Sequence, residues 1–309
     1  MKSSFDELLN AYWLRPETAL WRELDIRAMH GFEFKSPSLD IGCGDGLFSF
    51  IRAGGRMSAD FDAFKYLANL DKFYENADVF DAFMGEGPNK VITTPSYKID
   101  MGFDHKENLL KKSQMLGLYI RTKQGDANAR LPFEDNSFNS IFSNVVYWLE
   151  DIPSVMAEIA RILQPGGRVC LMLPNKTLPE YSFYNQLYVK TGNPKWEFLQ
   201  KIDRGRFADN IRHARPAAEW EEIFKRVGLK IHSHKRHLSK VTIQIWDIGF
   251  RPLFPLLKKI TDKIDPQEIV DIKAEWIDTL KMFLEPLLDI DADNIEGFEP
   301  AFHCYILEK

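Results

Sequence analysis

Ser38-Leu39-Asp40-Ile41-Gly42-Cys43-Gly44-Asp45-Gly46-Leu47-Phe48 combines an apolar run, an acidic residue and three closely spaced glycines. Leu39 and Ile41 predict the end of a buried strand, and the apolar residues after Leu47 predict the start of a helix. Glycines let the backbone turn tightly and approach a ligand without obstruction by a Cβ atom. The amide groups and dipole at the start of the helix can hold an anionic group. The stretch therefore predicts an α/β sheet with a nucleotide-type cofactor site.

The spacing of the glycines indicates which cofactor this turn binds. A dinucleotide-binding turn reads G-x-G-x-x-G and would need glycine at Leu47, whereas this chain reads G-x-G-x-G. The carboxylate of Asp40 would lie where a pyrophosphate passes, which disfavours NAD. It suits a ligand that carries an ammonium group.

At these residues the chain resembles the class I S-adenosylmethionine-dependent methyltransferases, whose first motif is a hydrophobic strand followed by D-x-G-x-G-x-G. The resemblance implies a Rossmann-like, seven-stranded, mostly parallel sheet with an antiparallel last strand, helices on both faces and, here, mainly helical insertions. It also implies S-adenosylmethionine as cofactor and S-adenosylhomocysteine as product. The implied cofactor contacts in this motif come from Asp40, Gly42, Cys43, Gly44 and Gly46.

Further segments resemble later motifs of the same family. Tyr97 to Gly102 is similar to the second strand, which implies that Asp100 binds the ribose hydroxyls and that Met101 packs on the adenine. Gly125-Asp126-Ala127 is similar to the G-D-A loop, where Asp126 would accept from the adenine amino group and the Ala127 amide would serve a ring nitrogen. Asn144 would follow the fourth strand, near the methionine part of the cofactor.

Two more segments extend the resemblance. Leu131 to Phe138 resembles the family's L-P-F-x-D-x-S-F-D turn. A helical pattern from Val155 to Leu163 ends at Gln164-Pro165-Gly166-Gly167, and a strand is predicted at Arg168 to Leu173. A glycine-rich turn without a ligand would remain a plain alternative for the first motif alone, but the ordered series of motifs favours the methyltransferase interpretation.

Composition limits the kind of partner and compartment. The chain has 309 residues, 40 Lys and Arg against 45 Asp and Glu, and a net charge of −5, so no general attraction to nucleic acid is expected. DNA is not expected as a partner, and RNA is disfavoured. The three cysteines are far apart in sequence and match no zinc spacing, so no metal is expected. Without an apolar N-terminal stretch of signal-peptide length, we expect a cytoplasmic location.

We predict a single methyltransferase domain over residues 1–309, with its core at about 36–50, 97–240 and 298–309. Residues 1–35 are predicted to form an N-terminal helical cap, with helices on either side of Arg15-Pro16. Residues 51–96 are an insertion, rich in aromatic and acidic residues, that could form short helices and either a lid over the acceptor or an ornament at the sheet edge. Residues 241–297 are a second, helical insertion.

The sequence says least about the acceptor. Tyr147 and His213 are candidate catalytic residues, although an expected histidine after the fourth strand is absent, and His213 could equally be structural. Arg15 could pair with the cofactor's carboxylate or lie on the surface. The apolar run at 245–260, flanked by lysines, could touch a membrane or a lipid-linked acceptor, although packing on the core is favoured.

We therefore expect methyl transfer from S-adenosylmethionine to a small-molecule acceptor at an undetermined O, N or C atom. The alternatives are an RNA-modifying methyltransferase and a non-catalytic, cofactor-binding regulatory protein. An NAD-dependent oxidoreductase is less favoured because of Leu47. The sequence indicates no oligomeric state.

Overall fold

The computed structural model describes residues 3–67, 90–197, 212–293, 297 and 299–309. These residues form a seven-stranded sheet and a separate antiparallel pair of strands. The strands in chain order are β1 (Ser38–Ile41), β2 (Arg56–Met57), β3 (Val91–Thr93), β4 (Ile99–Asp104), β5 (Tyr119–Gln124), β6 (Phe138–Ser143), β7 (Leu163–Pro174), β8 (Lys230–His237) and β9 (Phe302–Glu308). Strands β2 and β3 make the small pair.

The large sheet has the strand order β5-β4-β1-β6-β7-β9-β8. Strand β9 runs antiparallel to both β7 and β8, and the other pairs are parallel. This arrangement confirms the predicted fold class. It also brings the carboxyl ends of β1, β4, β5, β6, β7 and β8 to one edge of the sheet, where open α/β sheets bind their ligands. We call this the site edge.

Eleven helices are found in the described ranges. They are α1 (Ser4–Ala11), α2 (Pro16–Ala28), α3 (Leu47–Arg52), α4 (Glu107–Met115), α5 (Ile152–Ile162), α6 (Leu178–Tyr181), α7 (Phe183–Thr191), α8 (Ala217–Arg226), α9 (Lys240–Ile248), α10 (Phe254–Thr261) and α11 (Ile269–Asp293). Short 3₁₀ turns occur at Val146–Trp148, Pro194–Trp196 and Arg251–Leu253. No helix in these parts of the chain is long and apolar enough to cross a membrane.

Local sequence explains why the helix α5 and the strand β7 follow each other directly. The side chain of Asp151 accepts from the Ser154 amide and caps the start of α5. The helix buries one apolar face, which includes Val155 and Ile159. Strand β7 begins at Leu163 rather than at the predicted Arg168, because Leu163 already pairs with Phe138 on β6 across an irregularity in the register.

The N-terminal and C-terminal helices pack together. The Trp276 indole of α11 donates to the Trp13 carbonyl at 2.9 Å, and the Lys281 ammonium lies 2.7 Å from the Asp6 carboxylate. Lys273 donates to the Ala59 carbonyl at 2.9 Å, which ties α11 to the 51–96 segment. Three segments that are distant in sequence therefore form one packed layer.

Part of the 51–96 segment can be compared with its prediction. It was expected to form short helices, but its described ends instead contain β2 and β3, which pair with each other. Phe64 is buried against the Tyr12 ring at 5.8 Å. Most of the aromatic and acidic residues that motivated the lid hypothesis fall at 68–89, outside the described residues.

Candidate active site

The glycine loop joins β1 to α3. Gly42, Gly44 and Gly46 have φ angles between 54° and 75°, a region that residues other than glycine rarely adopt. The Gly42 amide donates to the Phe103 carbonyl at 2.7 Å, which anchors the loop to the end of β4. A Cβ atom on Gly42 would lie 2.0 Å from Val145 Cγ2, whereas one on Gly44 would meet nothing closer than 3.9 Å. The backbone at Gly44 is therefore the part of this loop that leaves room for a ligand.

Asp104 lies at the carboxyl end of β4, beside the glycine loop. Its Oδ2 atom accepts from the Gly44 amide at 2.8 Å, and its Oδ1 atom accepts from the Lys106 amide at 2.9 Å. Its carbonyl accepts from the Gly125 amide at 3.0 Å, so the ends of β1, β4 and β5 meet there. We did not predict Asp104 from the sequence, although the apolar Phe103 and the helix that begins at Glu107 indicate that β4 ends at this residue.

Asp100 and Met101 do not lie where the sequence prediction requires. Asp100 is the second residue of β4, about 13 Å of extended chain before Asp104. Its carboxylate accepts from the Ser36 hydroxyl at 3.1 Å and from the Ser38 amide and hydroxyl at 2.8 and 2.7 Å. Met101 pairs with Leu39 in the middle of the sheet. The prediction is corrected because the strand runs past both residues before it reaches the site edge.

Asp40 is also placed differently from its prediction. It is 2% exposed, and its Oδ2 atom accepts from the Ser49 hydroxyl at 2.6 Å and from the Tyr119 hydroxyl at 2.7 Å. Burial raises the pKa of Asp40 to about 6. The predicted contact with a ligand's ammonium group does not fit this geometry, because the carboxylate is buried between protein donors. It links α3 to β5 instead.

Asp126, Ala127 and Cys43 lie on loops at the site edge. Asp126 is exposed, and its Oδ1 atom accepts from the Asn128 amide and side chain at 2.8 and 3.0 Å. Ala127 is half-buried. Cys43 is half-buried, and burial raises the pKa of its thiol well above the usual value, so the thiol stays neutral. Their contacts with a cofactor remain predictions.

The chain that follows β6 supplies Asn144 and Tyr147. Asn144 is half-buried, and the next residue, Val145, packs against Gly42. Tyr147 is buried, with its ring centre 5.6 Å from that of Phe302, whereas the neighbouring Trp148 is largely exposed. The structure thus brings Tyr147 inside the site edge.

Aromatic residues from distant segments meet at the site edge. Ring centres of Tyr12 and Phe254 lie 5.8 and 4.9 Å from that of Phe64, and Trp21 lies 5.6 Å from Trp246. Trp21 also contacts Phe302, at 5.3 Å. The rings form two groups, Tyr12, Phe64 and Phe254 in one and Trp21, Tyr147, Trp246 and Phe302 in the other. The Arg15 guanidinium lies between them, 5.7 Å from the Trp246 ring and 5.8 Å from the Phe254 ring. We call the two groups together the aromatic cluster. Burial and the neighbouring Asp45 carboxylate raise the pKa of Tyr12. Because Asp45 belongs to the glycine loop, this effect shows that Tyr12 lies near the loop.

Two arginines of the N-terminal helices have different surroundings. Arg15 Nε donates to Glu17 Oε1 at 2.6 Å, and both side chains are buried. The Arg15 guanidinium is thus engaged with a carboxylate of the protein rather than free for the cofactor. Arg22 lies 5.3 Å above the Phe48 ring, and its charge acts on Asp45 in the glycine loop. Lys112 of α4 acts on the same carboxylate, and more strongly than Arg22. Two cations therefore lie near the loop, and the sequence pattern identified neither.

A buried pair joins the helix α2 to the strand β8. His237 Nε2 lies 3.1 Å from Asp25 Oδ1, and both residues are less than 5% exposed. The His237 ring is 6.1 Å from that of Phe302. The two residues are 212 positions apart, so no local motif reveals the pair. The pair holds α2, which carries Trp21, against β8.

His213 lies near the end of β7. It is buried, with Nδ1 3.4 Å from an Arg215 nitrogen, and the Arg215 amide donates to the Pro174 carbonyl at 3.3 Å. Because β7 ends at Pro174, this segment borders the site edge. The catalytic role of His213 remains a prediction.

The Leu131 to Phe138 motif has a structural role in these contacts. Arg161 of α5 donates to the carbonyls of Leu131 and Phe133 at 3.1 and 2.9 Å and pairs with Asp135 at 2.7 Å. Leu131 and Phe138, at the two ends of the motif, are buried in the core. The motif therefore holds the chain between β5 and β6 against α5.

Comparison with known proteins finds methyltransferases that are similar in sequence. A family model described as "Methyltransferase domain" matches residues 90–171. The demethylmenaquinone methyltransferase of Lactococcus lactis is 33% identical over 162 residues, which cover 46% of this chain and 60% of that protein. A ubiquinone/menaquinone biosynthesis C-methyltransferase of Desulfotalea psychrophila is 37% identical over 182 residues, which cover 55% of this chain and 72% of that protein.

A solved structure from Thermotoga maritima is also similar. It is described as an S-adenosylmethionine-dependent methyltransferase and possible histamine N-methyltransferase, and it aligns with a TM-score of 0.44 and 14% identity over 74% of this chain and 79% of that one. The sequence relatives, the strand order and the glycine loop agree with one another. The chain therefore belongs to the class I S-adenosylmethionine-dependent methyltransferases, and S-adenosylmethionine is its cofactor.

Proposed function

We propose that this enzyme transfers a methyl group to a ring atom of a small, apolar, aromatic acceptor of the quinone class. The aromatic cluster carries the proposal, because flat rings stack favourably on aromatic side chains. One group of the cluster includes Tyr12, whose pKa the Asp45 carboxylate of the glycine loop helps to raise, and the other includes Phe302 on β9. The names of the two sequence relatives, a demethylmenaquinone and a ubiquinone/menaquinone methyltransferase, support the same class.

The residues at the site edge fit the cofactor. The open space at Gly44 suits a ligand that lies against the backbone. The Asp104 carboxylate beside it is 7% exposed, and each of its oxygens accepts from one backbone amide, so a second acceptor site on each oxygen would serve the two ribose hydroxyls. Asp126 and Ala127 would serve the adenine, and Asn144 the methionine part. When bound, the cofactor supplies an electrophilic methyl group on a sulfonium.

The remaining work of the chain is to orient the acceptor and exclude water. Tyr12, Tyr147 and Phe302 are buried, so this part of the cluster excludes water, and the half-buried Trp21 and Trp246 would meet an incoming acceptor first. Because the pKa of Tyr12 is raised, its hydroxyl stays protonated and can donate a hydrogen bond to an acceptor oxygen. Tyr147 would contact the acceptor from the end of β6. His213 would take the proton that the acceptor atom loses.

The test is methyl transfer from S-adenosylmethionine with a deuterated methyl group. The acceptors are a reduced demethylmenaquinone with a short side chain, a panel of small amines, and total RNA. We expect the quinol to acquire the heavy methyl group on a ring atom. Labelled amine or RNA with unlabelled quinol would contradict the proposed acceptor class, and no transfer to any acceptor would favour a regulatory protein.

A variant pair tests the role of the aromatic cluster. Trp246→Ala should raise the KM for the quinol about tenfold or more while cofactor affinity stays unchanged, because Trp246 contacts Trp21. Phe283→Ala, at an aromatic residue of α11 that is 69% exposed, is the matched control and should behave as wild type. Equal effects of the two substitutions would argue against the cluster as the acceptor surface.

A further inference from the structure

The helix α10 has two different faces. On its inner side, Phe254 is fully buried, with its ring centre 4.9 Å from that of Phe64 and 5.8 Å from the Arg15 guanidinium. Lys258 is also buried, and its ammonium pairs with the carboxylate of Asp262. This face fixes α10 against the aromatic cluster.

The outer side of α10 is apolar and exposed. Leu253, Leu256 and Ile260 are spaced three and four residues apart, so they share one face of the helix and its preceding turn. Ile248, at the end of α9, adds a fourth apolar side chain close along the chain. Each of the four is between 52% and 59% exposed. Single exposed apolar residues are common, but four on adjoining elements form a patch of the kind that marks an interaction surface.

Two lysines border the apolar patch. Lys259 and Lys263 are exposed. Lys259 follows Leu256 by three residues on the same face of α10, and Lys263 lies in the turn just after the helix ends at Thr261. The carboxylate of Asp262 forms an ion pair with the Lys258 ammonium. The patch is therefore edged by positive charge on a chain whose overall net charge is −5.

We propose that this surface docks onto a lipid bilayer that contains anionic lipids. We call it the α10 patch, formed by Ile248, Leu253, Leu256, Lys259, Ile260 and Lys263. An amphipathic helix lies in the membrane interface with its apolar side chains at the acyl boundary, while lysines extend to the phosphates. A two-fold contact with a second copy of this chain would instead bring like charges together. With eight residues, α10 lies on the bilayer and does not cross it.

Docking has a consequence for the site. Because Phe254 lies on the opposite side of the same helix, a bound bilayer would be one helix diameter from the aromatic cluster. An apolar acceptor could then pass from lipid to enzyme without crossing bulk water. This last step rests on the proposed function, whereas the docking itself does not.

The experiment is sedimentation with vesicles of phosphatidylcholine, with and without phosphatidylglycerol. Wild type should pellet with the anionic vesicles, and added salt should weaken binding. The variant L256E/I260E should lower the partition coefficient about tenfold or more, and K259E/K263E should remove the preference for anionic lipid. The matched control is Ile120→Glu, at a residue of β5 that is 59% exposed, and it should pellet as wild type.

A second measurement uses a variant with a smaller change. Leu256→Trp should show additional fluorescence quenching by brominated lipids, and Ile120→Trp should not. Wild type that stays in solution with both vesicle types, or L256E/I260E that pellets as wild type, would overturn the proposal. If wild type is a dimer and the variant L256E/I260E is a monomer, the patch would serve self-association instead, and the proposal would be overturned. Turnover of a water-soluble quinol without vesicles reports on the proposed function separately.

Discussion

The Gly44 amide donates a 2.8 Å hydrogen bond to Asp104 Oδ2, and this contact joins the glycine loop to the end of the neighbouring strand. The Asp104 carbonyl also accepts from the Gly125 amide, so one residue connects three loops of the site edge. A carboxylate in this position can accept from two neighbouring hydroxyl groups. We therefore propose that Asp104, and not Asp100, holds the ribose of the cofactor.

Gly42→Ala should strongly destabilise the protein. The φ angle of Gly42 is +73°, and an added Cβ atom would lie 2.0 Å from Val145 Cγ2. The left-handed conformation costs about 1–2 kcal/mol and overpacking about 1–3 kcal/mol more. Urea denaturation of the variant and wild type measures the difference in the free energy of unfolding.

The matched control is Gly54→Ala. Gly54 has a φ angle of +81°, but no atom lies within 4 Å of an added Cβ. It should lose only the conformational part, about 1–2 kcal/mol. Equal losses for the two variants would show that Val145 does not close on the glycine loop as described.

Asp40→Asn should change how stability depends on pH. Burial raises the pKa of Asp40 to about 6 in the folded protein, above its unfolded value, so folding favours the protonated form. This contribution is complete below the unfolded pKa and is lost as the pH rises through about 6. Relative to the variant, wild type should lose up to about 3 kcal/mol between about pH 4 and 7. A difference that does not vary with pH, measured by urea denaturation, would refute the buried carboxyl.

His303→Gln should reduce acid sensitivity. Burial lowers the pKa of His303 to about 3, and the neighbouring His234 and His237 add to the effect. As the pH falls below about 6.5, the unfolded chain binds a proton that folded His303 does not, so wild type should lose about 1.4 kcal/mol per pH unit from this group. The stability that neutral His303 contributes is fully present above the pKa of the unfolded chain. It is lost progressively as the pH falls towards the pKa of the folded protein, about 3.

The control for His303 is the exposed His30→Gln. Thermal melts at a series of pH values should show a shallower acid slope for His303→Gln than for wild type, and a wild-type slope for His30→Gln. Identical slopes for all three proteins would mean that His303 is protonated without penalty in the folded state.

The sequence predicted the fold well because its signals are local. A strand, a glycine turn and a helix follow one another within Ser38 to Arg52, and the last strand at Phe302 to Glu308 pairs antiparallel as expected. Each of these features depends on spacing within a few residues. Strand ends are less certain, and the prediction took Asp100 for the end of a strand that continues to Asp104.

The acceptor-binding part of the site could not be predicted from local sequence patterns. Asp40 is held by Tyr119, 79 residues away, and Asp25 by His237, 212 residues away. The aromatic cluster draws on both ends of the chain and on the 51–96 segment. Such contacts follow from tertiary packing, which single-sequence patterns do not encode.

Calorimetric titration of S-adenosylhomocysteine into wild type, Asp104→Asn and Asp100→Asn shows which of the two carboxylates binds the ribose. Both substitutions remove one charge at nearly constant volume, and a thermal melt checks that each variant is folded. We expect Asp104→Asn to weaken binding by about 1–3 kcal/mol, through loss of charge-assisted hydrogen bonds, and Asp100→Asn to bind within about twofold of wild type. Wild-type affinity in Asp104→Asn, or the larger loss in Asp100→Asn, would contradict the proposed role of Asp104.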